Sequence, residues 1–484
     1  MAATSSVVAS PPAVKAAYWP SSSENFPPSA IKTSLFTHIY YAFLNPSNIT
    51  YKFEITNSTA ILLSNFTTTL HHKTPMVKTL FSIGGGGSDS ALFALIASNP
   101  QSRKVFINSA LEVARKFGFD GLDLDWEFPK TPKEMHDLGH LFHEWRLAID
   151  NEAKATNQPP LLFTAAVYFS VDFFVDTIYR KYPIDSIIQN LDWVSPMCFD
   201  YHGSWDNTTT GAHAALYDPT SNVSTSYGLK SWLRAGVPES KLVMGLPLYG
   251  KSWILKEPNS NGIGSPAVAI GPGEDGVLIF SKVEEFNKKN GATVIYDLES
   301  VSTYSFVGST WIGYDDPIST TIKIGFAQAL GLRGYFFWAV GFDHEWKIST
   351  QGDGDGGIEE GIVGGGSTEG DEVTEEGIGD GDGGSGYGNN GNIGGKDGND
   401  RSGGKDGNGG KDGNEEMEEF VEERDQKIKV HEDKESTMRR RHLEAELELE
   451  KEFDAELSSL MEKYSFISQK LLPPRTGREI CILN

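Results

Sequence analysis

The chain is 484 residues long, with 66 acidic against 42 basic residues, a formal charge of −24 and only two cysteines. That length supports a sizeable buried core without covalent staples, and Cys198 and Cys481 are too few for a disulfide framework. From Gln351 onward the sequence holds 34 acidic and 16 basic residues, so the first 350 are only mildly acidic, and nothing in the balance suits a nucleic-acid partner.

Residues 1–12 have no basic start and no sustained apolar core, so they do not read as a secretory signal, and no later run is long enough to span a bilayer. Short, nearly continuous apolar runs then recur at 14–19, 38–43, 78–85, 121–127, 161–167, 193–200, 241–249 and 334–340. Such runs are what parallel strands buried on both faces look like. Between them, 102–117 carries Val105, Phe106, Ala110, Val113 and Ala114 near helical spacing, and 131–157 is a second helix candidate. This alternation predicts an α/β chain folded as a (β/α)8 TIM barrel over 1–350, with a doubly wound open sheet as the competing topology. The gap between the seventh and eighth runs is too long for one loop and helix, and 277–281 and 292–296 read as strands. An inserted small α+β subdomain is expected over about 251–315.

After Gln351 the composition turns to Gly, Asp, Glu and Asn, with near-repeats at 395–399, 404–408 and 410–414. Residues 351–414 therefore predict a disordered, flexible linker that cannot bury a core. Residues 415–484 predict a charged C-terminal helix in which Leu449, Phe453, Leu457, Leu460 and Tyr464 form an approximate stripe. A weak coiled-coil partner and a solvated helix without one fit this stripe equally, since Glu450 and Asp454 interrupt a strict heptad.

The most informative run is Asp120-Gly121-Leu122-Asp123-Leu124-Asp125-Trp126-Glu127. Alternation places Asp123, Asp125 and Glu127 on one face of a strand, with Leu122, Leu124 and Trp126 on the other. Carboxylates crowded on a face cannot all ionise, so at least one holds a proton near neutral pH and can deliver it to a leaving group. Phe128-Pro129 ends the strand, which puts Glu127 at its C-terminal end, where barrel enzymes keep their chemistry. His71-His72 and His202 lack partners at ligand intervals, so no metal is expected, and no cofactor is implied.

Asp120 to Pro129 resembles the DxxDxDxE signature of glycoside hydrolase family 18, and much of the first 345 residues resembles the plant class V chitinases within it. The resemblance is carried further by Ala17-Tyr18-Trp19, Leu35 through Phe43, Ser82-Ile83-Gly84-Gly85, Met197 through Asp200, Met244 through Gly250, and Gly334 through Trp338. It implies retaining hydrolysis of β-1,4-linked N-acetylglucosamine in chitin or its oligosaccharides, with the substrate's own acetamido oxygen as nucleophile. On that resemblance Glu127 is the acid and then the base, Asp125 orients the acetamido group, and Asp123 shares a proton with Asp125. Asp120 braces the strand. Tyr18, Phe43, Trp126, Met197, Asp200, Tyr249 and Trp338 are the implied substrate-binding positions, with Trp338 as the floor under the sugar being cleaved. Trp205 and Trp253 are either cleft or scaffold.

One departure from the family pattern stands out, for the usual Met-X-Tyr-Asp is here Met197-Cys198-Phe199-Asp200. Either one acetamido hydrogen bond is lost, or Tyr201 supplies it through a bulge. A chitin-oligosaccharide lectin that kept the cleft is the alternative reading. The resemblance implies an extracellular or vacuolar setting, and sequons at Asn48, Asn57, Asn65, Asn207 and Asn222 point the same way.

Overall fold

The computed structural model describes residues 13–352, apart from 23–25 and 176. The charged helix expected over 415–484, and the linker expected over 351–414 beyond Gly352, lie outside the described residues. In chain order the strands are β1 (Val14–Pro20), β2 (His38–Leu44), β3 (Lys78–Gly84), β4 (Gly121–Asp125), β5 (Leu162–Tyr168), β6 (Asp172–Val175), β7 (Ile178–Lys181), β8 (Trp193–Met197), β9 (Val243–Pro247), β10 (Tyr249–Leu255), β11 (Ala267–Ile270), β12 (Val277–Ile279), β13 (Thr293–Asp297), β14 (Ser302–Val307), β15 (Thr310–Tyr314) and β16 (Gly334–Trp338). The α-helices are α1 (Asn57–His71), α2 (Ser90–Ala97), α3 (Pro100–Phe117), α4 (Pro132–Thr156), α5 (Ile184–Asn190), α6 (Thr225–Arg234), α7 (Phe280–Asn290) and α8 (Pro317–Ala329).

Eight parallel strands run side by side in the order β8, β5, β4, β3, β2, β1, β16, β9, and a parallel bridge between Val194 and Leu242 joins the two ends. The sheet is thus a cylinder. Its inside is filled by Ala16, Tyr18, Tyr40, Leu80, Trp193, Val243 and Phe336, a packed core that leaves polar groups no water to fall back on. Helices start and stop where the local chemistry directs. Asn99 and Thr131 cap α3 and α4 through their side chains, each helix has proline at its first position, and Gly118 ends α3 in the left-handed conformation.

The inserted subdomain is a second, antiparallel sheet in the order β11, β10, β15, β14, β13, with β12 against β10 and α7 following it. Trp253 and Trp311 sit fully buried at its centre with their rings 5.5 Å apart. Two expectations need correction. The fourth barrel strand ends at Asp125 rather than at Glu127, and the seventh ends at Pro247, so that Tyr249 opens the inserted sheet instead of closing a barrel strand.

The junction between insertion and barrel is fastened by a buried ion pair. Lys323 Nζ of α8 donates to Asp315 Oδ1 and Oδ2 at 2.5 and 2.7 Å and to the Ala214 carbonyl, and both charged side chains are 1% exposed. Removing one member leaves the other charge buried without compensation. Lys323→Met is expected to lower stability by about 3–5 kcal/mol, read as a drop in the urea midpoint, and Asp315→Leu added to it to restore much of the loss.

Candidate active site

The register of three neighbouring strands builds the lowest part of the site. Ser82 on β3 and Thr164 on β5 lie directly beside Asp123 on β4, and both hydroxyls turn onto its carboxylate: Ser82 Oγ donates to Oδ2 at 2.7 Å and Thr164 Oγ1 to Oδ1 at 2.6 Å. From across the barrel Tyr18 of β1 donates its hydroxyl to Oδ2 at 2.9 Å. Burial raises the affinity of Asp123 for a proton, and the three hydroxyls pull the other way.

Two residues further up, Asp125 faces the same interior, where the close approach of β3 shuts out water. Gly84 at φ +114 makes this approach, since a Cβ there would stand 2.0 Å from the Asp125 carbonyl oxygen. The Asp125 carboxyl is raised well above its ordinary value, by burial first and then by the charges of Glu127 and Asp123. Its Oδ1 is buried and has no hydrogen-bond donor among the described residues. Glu127, just beyond the strand, is pushed up to about 7 by burial and by the negative charge of Asp200. Both carboxyls are thus shifted toward the protonated form, Asp125 in part by the charge of Glu127.

Asp200 follows β8 in the left-handed conformation, with a side chain 44% exposed. Its Oδ1 accepts from Tyr249 Oη at 2.8 Å and from Lys251 Nζ at 2.9 Å. Around these carboxyls lies an aromatic floor: Trp338 at the end of β16 stacks on Phe43 at 5.5 Å and leans on Tyr18 at 5.5 Å, with half-buried Met197 and Phe199 packed against the same core. The structure thus gathers Glu127, Asp125, Asp123, Tyr18, Phe43, Met197, Asp200, Tyr249 and Trp338.

Trp126 is not gathered, and its assignment to substrate binding is corrected. Strand alternation turns it outward, where its Nε1 donates to Ser90 Oγ at 2.9 Å and its ring packs near Phe93 of α2. Tyr18 is 2% exposed with its hydroxyl given to Asp123, so its contact is with the carboxylate beneath the floor. Trp253 is core, whereas Trp205 is 64% exposed. Tyr201 does not replace the missing phenol, because its hydroxyl is paired with Thr225 Oγ1 in the helix layer. Asp120 accepts from His71 and from the Thr79 amide. Burial opposes its ionisation, but these bonds outweigh it and hold the carboxyl below its ordinary value.

Sequence reasoning gave no role to Ser82, Thr164 or Lys251. The signal for the first two was present, since each is a hydroxyl in the middle of an otherwise apolar barrel strand. Lys251 had none, because it belongs to a different sheet.

Comparison with known proteins agrees with this geometry. The family described as glycosyl hydrolases family 18 matches residues 14–343. Nod factor hydrolase protein 1 of Medicago truncatula is 56% identical over 344 residues, covering 70% of this chain and 88% of that protein. Class V chitinase CHIT5b of the same plant is 55% identical over 341 residues, covering 70% and 89%. Among solved structures, a GH18 chitinase from Cycas revoluta in complex with (GlcNAc)3 superposes with a TM-score of 0.67 at 42% identity, over 70% of this chain and 98% of that one. With the acidic strand, the barrel around it and these relatives in agreement, the chain belongs to glycosyl hydrolase family 18, in the branch of the plant class V chitinases.

Proposed function

We propose that this chain hydrolyses the β-1,4 bonds of chitin oligosaccharides with retention at the anomeric carbon, by substrate-assisted catalysis. The observation that carries the reading is the buried Asp125 Oδ1, an acceptor without a donor beside an acid that keeps its proton near neutrality. A buried polar atom left unpaired is costly, and an amide N–H of the substrate relieves that cost. On this reading the attack on the anomeric carbon comes from the acetamido carbonyl oxygen of the sugar itself, which Asp125 positions, as in the recognised exception to the two-carboxylate scheme.

Asp125 accepts the acetamido N–H and aligns the carbonyl oxygen; that oxygen bonds to C1 as the C1–O bond breaks, and Glu127 gives its proton to the departing oxygen. An oxazolinium ring remains, its charge facing the Asp125 carboxyl. Glu127, now a carboxylate, takes a proton from water as that water attacks C1 from the face the leaving group vacated. The ring opens, one water is consumed, and two inversions give retention. Stacked Phe43 and Trp338 offer flat apolar surface for a sugar face.

Hydrolysis of an N-acetylglucosamine oligomer series, with product anomers followed by NMR, tests the reading. Initial β-anomers from the intact chain and a loss of at least about a thousandfold in Glu127→Gln are expected. Oligomer binding without cleavage by the intact chain would leave the lectin reading, for which Phe199 is the specific observation.

The acid must hold its proton, and its value in the fold is raised, so activity is present below that value and lost above it. The alkaline limb of kcat/KM is expected near pH 7, with about a tenfold fall per pH unit beyond it. Phe199 lies between Tyr249 and Phe336, its ring 6.2 and 6.0 Å from theirs, with no hydroxyl to offer. Phe199→Tyr is expected to raise kcat/KM by about tenfold, the gain of one transition-state hydrogen bond, in the same assay.

A further inference from the structure

Lys251 is 8% exposed, yet its ammonium has one ionic partner among the described residues, the Asp200 carboxylate at 2.9 Å. The rest of its surroundings is aromatic. Nζ lies 5.4 Å from the ring centroid of Tyr249 and 5.4 Å from that of Trp205, so the charge is held between two ring faces and one carboxylate oxygen. Asp200 is thus held through Oδ1 by Lys251 and Tyr249 together. That leaves Asp200 Oδ2 without a donor from the described residues. The strand geometry sets the arrangement, since β10 places Tyr249 and Lys251 two residues apart and so on one face.

We propose that Lys251 is a positioning residue of the site, which fixes Asp200 and screens its charge, and thereby sets the pH range over which Glu127 keeps its proton. The proposal rests on the reading of Glu127 as proton donor. The groups that face Glu127 make the sign definite. Asp125 and Tyr249 feel the charge of Glu127, Glu127 feels that of Asp200 at the end of β8, and Lys251 of β10 reaches this group through its contact with Asp200. Beyond these, Tyr182 after β7 lies within electrostatic range, and His213 in the segment following β8 has Nδ1 3.9 Å from Asp200 Oδ1. Burial holds His213 in its neutral form, down to about 3, and the two phenols stay protonated. Lys251 is the positive charge in direct contact with Asp200 among the described residues. Without it the full charge of Asp200 acts on Glu127 and strengthens its hold on the proton.

The test reads Glu127 directly. Carbon-13 NMR of glutamate carboxyls in the full chain, with the Glu127 signal assigned by its absence in Glu127→Gln, gives a midpoint that needs no turnover. Lys251→Met is expected to move that midpoint upward by about one pH unit, Lys251→Arg to leave it near the wild-type value, and Asp200→Asn to move it downward. The alkaline limb of kcat/KM shifts with it. Lys251→Gln serves if the methionine variant does not fold. An unmoved or lowered midpoint in a natively folded Lys251→Met or Lys251→Gln would overturn the proposal. Absence of turnover in the wild type would instead sink the hydrolase reading alone, with the titration still deciding the role of Lys251.

Discussion

Three carboxyl groups within one strand and its exit share a space from which water is excluded, and the site depends on how that repulsion is resolved. Ionising all three would cost far more than the fold has to spare. The structure divides them by their donors. Asp123 receives three hydroxyls and is the member best suited to carry charge, whereas Asp125 receives none on Oδ1 and Glu127 feels a further negative charge from Asp200. Identical chemistry at two-residue spacing thus meets three different environments, one rich in hydroxyl donors, one with an unpaired buried oxygen and one beside a further carboxylate.

This division needs a closed barrel rather than merely a parallel sheet. Ser82 and Thr164 reach Asp123 because they are its register neighbours on either side, which an open sheet would also provide. Tyr18 reaches it only because β1 lies across the cylinder, 105 residues earlier in the chain. The same tyrosine stacks on Tyr40 at 4.5 Å and meets Trp338 at 5.5 Å, so the hydrogen-bonded Asp123 and the aromatic floor share one side chain. Moving either disturbs the other. Packing density and electrostatics are coupled here through contact, not through any separate pathway.

Much of this was legible in the sequence, for specific reasons. Barrel strands announce themselves as apolar runs because both faces are covered, and the alternation of Asp123 and Asp125 with Leu122 and Leu124 fixes which side chains face inward. Alternation should also have turned Trp126 away from the cleft, and it does. What could not be read was anything decided by a change of sheet. Tyr249 lies one residue beyond Leu248, where the chain leaves the barrel for the antiparallel insertion, and within the run from 241 to 249 that break is marked by Pro247 alone, in the midst of continuous apolar sequence. Lys251 follows from the same event. In a barrel strand it would be a burial error; in β10 it meets Asp200, which comes from another strand altogether.

The insertion is therefore more than a wall beside the barrel. Its first strand carries the phenol and the ammonium that hold Asp200, and its last strand is followed by Asp315, whose partner Lys323 also donates to the Ala214 carbonyl. Ala214 adjoins His213, whose ring bonds the Tyr249 carbonyl and whose own carbonyl accepts the Tyr201 amide, one residue after Asp200. A buried pair at the edge of the insertion thus sits at the root of a chain of contacts ending at Asp200. Buried ion pairs contribute little net stability against apolar substitutes, so a structural reason for keeping this one is the orientation it enforces. Phe199 meets this frame through ring packing against Tyr249, so the hydrogen bond and the ion pair that hold Asp200 do not depend on a hydroxyl at position 199.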